Sequence, residues 1–301
     1  MAPQVSVLIP HYNDLANLEL CIVALMAQTL TRDSYEIIVA DNNSTVGIDA
    51  VRAAVGARAL VVPAPDQGAG PARNAAASVA QAQAFAFIDS DCVPARDWLE
   101  RGLAALTHAQ IVGGAVAATA RDAANPTPSE AFELVFAFQM KRYVERKGFS
   151  GSGNLFVRRS AFEAVGGFRK GINEDEEWGR RAITRGHRTV YDASVCATHP
   201  ARHDWPELRR KWARVTLERY ILTRERPHGL LIWIGSSWLI LLSPLVHFAK
   251  VLRSPRLHSL RARCGAIIIL FRVRAYRFTQ AYRVLLSELG AQRRKSSVTR
   301  A

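Results

Sequence analysis

The chain has 301 residues and a formal net charge of +14, from 40 Lys and Arg against 26 Asp and Glu. This length is enough for a full α/β core with an appendage, and the four cysteines stand singly, which excludes a small disulfide-stapled protein and fits a reducing cytosol. Residues 250–301 hold 13 of the basic residues and one acid, so the basic character belongs to the C-terminal segment and does not indicate a nucleic-acid-binding surface across the whole protein.

Four short apolar runs in the first 90 residues predict strands, and apolar-periodic segments between them predict helices. The predicted strands cover residues 5–9, 35–40, 60–62 and 84–88. Strands that alternate with helices indicate an open, mostly parallel sheet, whose ligands bind beyond the carboxyl ends of the strands. We therefore expect an α/β domain with its functional site at that edge.

Polar side chains follow each of these strands at the expected edge. Asp89-Ser90-Asp91 comes directly after the fourth strand and places two carboxylates there. Carboxylate oxygens suit Mg²⁺ or Mn²⁺, and such an ion keeps its remaining positions for water and substrate phosphates. Taken alone the triplet is also typical of a turn or a helix N-cap, so both interpretations stay open on this motif.

The ordered set of motifs resembles glycosyltransferase family 2. These motifs are P-H-Y-N, V-A-D-N-N-S, G-x-G-x-A-R-N, F-I-D-S-D-C-V-P, G-G-F and N-E-D-E-E-W, within about residues 4–220. The resemblance implies a Rossmann-like GT-A fold, a mostly parallel sheet flanked by helices. It also implies an inverting enzyme that uses a nucleotide-activated sugar, often a UDP-sugar, with a divalent metal.

The resemblance also implies roles for residues at the sheet edge. It places the nucleotide against Pro10, His11, Tyr12, Asp41, Arg73 and Asp89. Asp41 would accept hydrogen bonds from the base, and Asp91 would be the direct metal ligand, with Asp89 as a second candidate that faces ribose or sugar. Ordinary packing of Tyr12 and a solvated helix position for Arg73 remain open.

The second half of the chain is expected to supply the acceptor side and the catalytic base. By resemblance, Gly153 and Asn154 lie near the donor sugar, and Asp175 is the base, with Glu174 as the second choice. Four acids open a helix predicted from residue 174 to 185 with Asn173 as N-cap, and a helix-dipole role for these acids is the alternative. Trp178 either stacks on an acceptor sugar or packs in the core.

A histidine follows the last predicted core strand. By resemblance, His199 reaches the same metal as Asp91; a plain surface histidine is the alternative. Cys196, His199 and His203 also stand close in sequence, but no second ligand cluster completes a zinc site.

An apolar segment near the C-terminus predicts membrane association. Residues 229–248 contain no Asp, Glu, Lys or Arg, and Trp233 and Trp238 fit a membrane interface better than a buried helix. Ser243-Pro244 offers a break, and the second apolar run, 264–271, is too short to cross. We expect an interfacial or re-entrant hairpin over residues 226–291. The arginines expected on anionic lipid are Arg272, Arg274, Arg277 and Arg283.

These expectations define three regions: a catalytic domain over residues 1–225, the membrane-associated helices, and a disordered basic tail over 292–301. We expect no signal peptide, because the sequence enters its first strand directly, and we place the protein on the cytoplasmic face of the membrane.

The predicted function is transfer of a sugar from a nucleotide-diphosphate sugar to a glycan or lipid-linked acceptor, as in polysaccharide or cell-envelope glycan synthesis. A nucleotidyltransferase is the first alternative, although it would want a glycine-rich loop with a lysine where Pro10-His11-Tyr12-Asn13 stands. A nonenzymatic basic lipid-binding protein is the second. Nucleic acid is not an expected partner, because the basic residues lack interleaved aromatics at the sheet edge.

Overall fold

The computed structural model of the chain describes residues 2–298. It contains two compact units. Unit 1 combines the residues up to Ala118 with Phe138–Pro200, and unit 2 combines Thr119–Ala137 with the residues from Ala201 onward.

The strands and helices within the described residues follow in chain order. The strands are β1 (Val5–His11), β2 (Tyr35–Asp41), β3 (Leu60–Pro63), β4 (Ala84–Ile88), β5 (Val93–Pro94), β6 (Ile111–Thr119), β7 (Asn154–Arg158) and β8 (Thr189–Pro200). The helices are α1 (Leu15–Met26), α2 (Ile48–Val55), α3 (Ala69–Val79), α4 (Trp98–Leu106), α5 (Pro128–Phe136), α6 (Met140–Lys147), α7 (Arg159–Val165), α8 (Glu174–Thr184), α9 (Trp205–Arg224), α10 (Gly229–Leu242), α11 (Pro244–Leu252) and α12 (Leu260–Val298).

The sheet of unit 1 has the strand order β3-β2-β1-β4-β7-β6-β8-β5. β1 pairs in parallel with β2 and β4, and β2 pairs in parallel with β3. β7 runs antiparallel to β4 and β6, and β5 antiparallel to β8. The α/β class is confirmed, with the parallel pairings among the first four strands. Their carboxyl ends meet at one edge, where His11 and Asp41 are partners in register.

The central strands are buried on both faces, so alternate side chains enter two separate cores. In β4, Ala84, Ala86 and Ile88 belong to one core, while Phe85 and Phe87 belong to the other. This explains why the strand reads as a continuous apolar run instead of an alternation of apolar and polar residues. Helices α1 and α4 cover the first core, and α3, α7 and α8 cover the second.

Two helix starts have distinct local structures. α3 begins at Ala69, directly after Gly68, which has a φ of +128°. Asn173 occupies the N-cap position of α8, but its side chain makes no capping hydrogen bond.

Unit 2 has its own core, formed by α5, α9, α11 and α12. Phe132, Leu208, Val251 and Leu270 share this core. The predicted domain boundary at residue 225 therefore falls inside a packed unit, because α9 precedes that residue and packs with helices that follow it. α5 begins with a capping box in which Thr127 and Glu130 bond each other's backbone N–H groups.

The apolar segment forms α10 and α11, which meet at Ser243 with a bend of 43°, as the predicted break requires. Within the described residues no one helix is long and apolar enough to cross a membrane; by length and composition the bent pair together could.

One of the four C-terminal arginines expected on lipid, and part of the tail, differ from the predictions. Arg277 is 8% exposed and lies over the Trp212 ring at 4.2 Å, so it packs inside unit 2 and does not face lipid. α12 continues past the predicted start of disorder at residue 292 to Val298, in keeping with the high helix propensity of Gln, Arg and Lys. The end of the predicted tail, residues 299–301, lies outside the described residues.

Candidate active site

A buried arginine lies at the carboxyl edge of the sheet, between two carboxylates. The Arg73 side chain is 4% exposed; its Nη2 donates to Oδ1 of Asp89 at 2.6 Å and its Nη1 to Oε1 of Glu174 at 3.2 Å. Burial opposes the charged guanidinium, but the carboxylates of Asp89, Asp175 and Glu174 raise the pKa of Arg73 above its usual range. The interpretation of Arg73 as a solvated helix residue is wrong, and its present partners are the acids of the site.

The approach of α3 to the G-G-F turn depends on a glycine. A Cβ at Gly70 would lie 3.1 Å from Cβ of Phe168 and 3.2 Å from the carbonyl oxygen of Arg169. The next motif residue, Asn74, bonds both the N–H and the carbonyl of Phe168 through its amide. The G-x-G-x-A-R-N motif therefore positions Arg73 by packing α3 against the G-G-F turn.

The second aspartate of the triplet has a different partner. Oδ2 of Asp91 lies 3.0 Å from Nε2 of His199, at the end of β8. Nδ1 of His199 lies 2.6 Å from the carbonyl oxygen of Pro200, which can only accept, so Nδ1 carries the proton of the neutral ring. Nε2 then points a lone pair at a carboxylate oxygen, an arrangement that is stable when a proton or a cation lies between them.

The donor set of this pair fits a divalent ion. One carboxylate and one imidazole favour Mn²⁺ over Mg²⁺, because imidazole is a ligand of transition metals. Among the described residues there is no group of three or more His, Cys, Asp and Glu side chains arranged to hold a metal. An ion here would therefore complete its coordination with water and phosphate oxygens. Asp89, the other predicted ligand, bonds Arg73 instead.

Two buried polar side chains, those of His11 and Asp41, lie on register partners where β1 and β2 end. Both ring nitrogens of His11 and Oδ1 of Asp41 are buried and have no hydrogen-bond partner among residues 2–298. Oδ2 of Asp41 accepts from the N–H of Ser44 at 3.3 Å. Burial lowers the pKa of His11, against the raising effect of the Asp41 and Asp14 carboxylates. Unsatisfied buried groups of this kind cost about 1–3 kcal/mol each, so they mark a place where a ligand would supply hydrogen bonds.

The other two predicted residues of this pocket differ in exposure. Pro10 is half-buried in β1, and the Tyr12 side chain is 51% exposed. Tyr12 is not a core residue, so the packing alternative is wrong and its face is accessible for stacking on a base.

The four acids that open α8 have different partners. Glu176 bonds Lys147 and Arg180, and Glu177 bonds Arg181. Glu174 bonds Arg73. Within the part of the chain that the structure describes, the donors to Asp175 are neutral: the backbone N–H and the hydroxyl of Ser152 both donate to its Oδ1. Helix-dipole stabilisation accounts for the first turn as a whole but not for this separate environment.

Asp175 is the acid of this group with the strongly perturbed ionisation. Burial and the Glu174 carboxylate raise the pKa of Asp175 to about 6, against the lowering effect of Arg73 and the Ser152 hydrogen bond. A carboxyl group with a pKa in this range is mostly ionised at neutral pH, and its carboxylate is a stronger base than that of an ordinary aspartate. Asp175 thus has the properties of a general base.

Two predicted sugar-contact residues have structural roles instead. Asn154 is fully buried; its amide donates to the carbonyls of Ala115 and Val195, and its Oδ1 accepts from Nε1 of Trp98. Asn154 is therefore a structural residue, and its side chain is not accessible for the predicted sugar contact.

Trp178 is likewise a core residue. It is buried, packs beside Phe162 and Phe168, and donates from Nε1 to the carbonyl of Gly166 at 2.8 Å. The core alternative for Trp178 is correct, and the stacking prediction is wrong.

Gly153 does lie in the site. A Cβ at this position would come within 2.6 Å of Oδ2 of Asp89. Sequence reasoning missed Ser152, which bonds Asp175 from a turn 23 residues earlier. Its only sequence signal is a serine between two glycines, a pattern too common to indicate such a contact.

Comparisons with known proteins agree with this geometry. Residues 6–166 match the family model described as glycosyl transferase family 2. Glycosyltransferase AglE of Haloferax volcanii is 32% identical over 246 residues, which cover 77% of this chain and 80% of that protein.

Solved structures show the same fold. The mannosyltransferase PcManGT of Pyrobaculum calidifontis, in complex with GDP-Man and Mn²⁺, superposes with a TM-score of 0.61 at 21% identity, over 95% of this chain and 88% of that one. S. aureus TarS 1–349, in complex with UDP-GlcNAc, gives a TM-score of 0.54 at 15% identity, over 96% and 92%. The GT-A fold is thus confirmed. The matched residues include the arginine and both aspartates at the sheet edge, and the relative is alike over most of its length, so the chain belongs to glycosyltransferase family 2 and is a glycosyltransferase.

Proposed function

We propose that this glycosyltransferase transfers a sugar from a nucleotide-diphosphate sugar with inversion, and that Asp175 is its base. The observation that carries the proposal is the separate environment of Asp175, which is bonded by Ser152 and has a raised pKa while the three adjacent acids pair with cations. The diphosphate leaves without needing a proton from a general acid. The proton transfer that a carboxylate can assist is therefore removal of the proton from the acceptor hydroxyl.

We place the nucleotide of the sugar donor at the carboxyl edge of the sheet. The unsatisfied atoms of His11 and Asp41 would bond the base of the nucleotide, and the exposed Tyr12 ring would stack on it. The family resemblance implies a UDP-sugar in many cases, whereas the two solved neighbours hold GDP-Man and UDP-GlcNAc. Both nucleotides therefore belong in the test.

Asp91 and His199 would hold Mn²⁺, or Mg²⁺ with lower preference. When bound, the ion neutralises charge on the diphosphate as it leaves. The mannosyltransferase of P. calidifontis was solved with Mn²⁺, which supports this assignment.

The chemical step follows from these positions. Asp175 accepts the proton of the acceptor hydroxyl on its carboxylate while that oxygen forms a bond to the anomeric carbon. The bond from the anomeric carbon to the diphosphate oxygen breaks, and the nucleoside diphosphate leaves with the electron pair. Arg73 holds the Asp89 and Glu174 carboxylates in place beside this reaction. Attack opposite the leaving group inverts the anomeric centre.

The acceptor is a glycan or a lipid-linked sugar, as in polysaccharide or cell-envelope glycan synthesis, and the protein works at the cytoplasmic face of the membrane. Support comes from the bent pair α10 and α11 in unit 2. Its more than half-exposed apolar side chains are Leu231, Leu239, Leu242, Leu245 and Val246. The exposed Lys250 lies in the last turn of α11 and the exposed Arg253 follows the pair, which suits anionic lipid.

Neither helix of the pair is long enough to cross alone. The 14 residues of α10 span about 21 Å at 1.5 Å per residue, less than the ~30 Å of a hydrocarbon core. The bend of 43° at Ser243 favours a position in the interface, with the cations at the headgroups, over the bent crossing that the combined length of the pair allows.

The test is a panel of UDP- and GDP-sugars incubated with the full chain and Mn²⁺, with release of nucleoside diphosphate as the readout. We expect one nucleotide sugar to be consumed in a metal-dependent reaction that Asp175→Asn abolishes. Absence of turnover and of thermal stabilisation with every nucleotide sugar would contradict the proposal.

A further inference from the structure

Ser152 makes two hydrogen bonds to one carboxylate oxygen of Asp175. It is fully buried, and its backbone N–H at 3.1 Å and its hydroxyl both donate to the same oxygen, Oδ1 of Asp175. The two residues come from different elements, the turn that leads into β7 and the first turn of α8. Two donors on one oxygen fix the plane and the direction of the carboxylate.

We propose that Ser152 is the positioning residue of the base: by occupying Oδ1 from both its donors, it directs Oδ2 of Asp175 to the acceptor hydroxyl. Oδ2 accepts neither of these hydrogen bonds, so it is the oxygen with capacity for a proton. This inference rests on the proposed role of Asp175. It adds the residue that sets the geometry on which that role depends.

The turn that carries Ser152 has little freedom to move. A Cβ at Gly151 would lie 2.8 Å from Cε of Met140, and one at Gly153 would lie 2.6 Å from Oδ2 of Asp89. The turn is thus packed between α6 and the Asp89 carboxylate while its central residue bonds Asp175. Its backbone therefore sets the position of the base relative to the aspartate after β4.

The charged groups around Asp175 act together with Ser152. Glu174 on the same helix and Asp89 at the end of β4 disfavour a second negative charge, while Arg73 from α3 favours it. Hydrogen bonds to an ionised carboxylate lower its pKa, so Ser152 and Arg73 both lower the pKa of Asp175. Loss of the hydroxyl would leave Asp175 both less well oriented and harder to ionise.

The test compares Ser152→Ala with the matched variant Ser150→Ala in the full chain. Ser150 stands two residues earlier and is also buried, but its hydroxyl lies 4.0 Å from Sδ of Met140 and does not bond Asp175. The first readout is the ¹³C titration of the Asp175 carboxyl, assigned by its disappearance in Asp175→Asn. Ser152→Ala should raise the midpoint by about one pH unit, and Ser150→Ala should not move it.

The second readout is turnover of the nucleotide sugar that the panel identifies. Ser152→Ala should lower kcat by roughly tenfold with KM for the donor unchanged, and should shift the acidic limb of the kcat profile upward. Ser150→Ala should leave both as in the wild type.

The outcomes separate this inference from the proposed function. An unchanged midpoint in Ser152→Ala, or an equal shift in Ser150→Ala, would overturn the positioning role. A shifted midpoint in a protein that turns over no nucleotide sugar would leave Ser152 as the anchor of Asp175 and overturn the proposed function instead. If Ser152→Ala does not fold, Ser152→Cys, which keeps the volume with a weaker donor, takes its place in the same titration.

Discussion

Nε2 of His199 lies 3.0 Å from Oδ2 of Asp91, and this contact joins the end of β8 to the segment after β4. The Phe138 ring packs against the His199 imidazole with 4.6 Å between the ring centroids, and the Pro200 carbonyl accepts from Nδ1 of His199. These two contacts set the plane and the tautomer of the imidazole. The pair is therefore preorganised as two ligands of one cation.

The first prediction concerns that cation. Asp91→Ala should weaken Mn²⁺-dependent binding of UDP or GDP by about tenfold or more and leave the weaker binding in EDTA unchanged. Calorimetric titration with and without Mn²⁺ measures this. Asp49→Ala, an exposed acid of α2, is the control and should bind as the wild type does. Equal Mn²⁺ dependence in Asp91→Ala and wild type would remove this pair from the metal site.

The second prediction concerns Arg73. Arg73→Met keeps the side-chain length but leaves the Asp89 and Glu174 carboxylates without their shared cation, so the free energy of unfolding should fall by about 2–4 kcal/mol. Asp89 retains contact with water, which limits the loss. Urea denaturation measures it, with Arg52→Met, which breaks the exposed pair with Asp49, as a control that should change stability little. Similar losses in both variants would show that the Arg73 cluster contributes nothing special.

The third prediction is a pH dependence with opposite effects on stability and activity. The pKa of Asp175 is raised from 3.8 to about 6 in the folded protein. The stability that protonated Asp175 provides is therefore present below pH 3.8 and lost as the pH rises through about 6. Activity needs the ionised base, so kcat should rise over the same interval.

Melting temperatures in EDTA between pH 4 and pH 8 test the stability half. Asp175→Asn should melt above the wild type at neutral pH, and the difference should shrink toward pH 4, where both side chains are neutral. A constant difference across this range would mean that Asp175 does not titrate there.

These residues show how far the sequence leads. The apolar runs predicted the strands of the parallel part of the sheet, and the polar residues after them marked the site, because each depends on local order along the chain. Asn154 could not be assigned in this way, since its partners Ala115 and Val195 lie 39 and 41 residues away.

The sequence also could not predict which residues on one side of a helix are buried. Trp178 enters the core beside Phe162 and Phe168, while Asp175, three residues earlier, bonds Ser152. Spacing puts both on one side of α8, but the neighbouring elements decide which of them meets solvent. Arg277 was misassigned for the same reason, because its place over Trp212 depends on how α9 packs with α12.

The fourth prediction tests the apolar pair α10 and α11. Val246→Asp should reduce flotation of the protein with vesicles that contain anionic lipid, because Val246 is 75% exposed and would carry a charge into the interface. Val23→Asp in α1, at a position 52% exposed, is the matched control. Wild-type protein that fails to float with either anionic or neutral vesicles would contradict the membrane proposal, and a dimer that Val246→Asp dissociates would identify a second copy as the partner of this surface.

The central claim is that Asp175 is the base, and single-turnover transfer by Asp175→Asn and Glu176→Gln tests it most directly. Asp175→Asn keeps the size and the Ser152 contact but cannot take a proton, so the account predicts a rate lower by about 10²- to 10⁴-fold with unchanged donor affinity. Glu176→Gln removes an acid from the same helical turn that pairs with Lys147 and Arg180, and should stay near the wild-type rate. Equal and modest losses in the two variants would contradict the account.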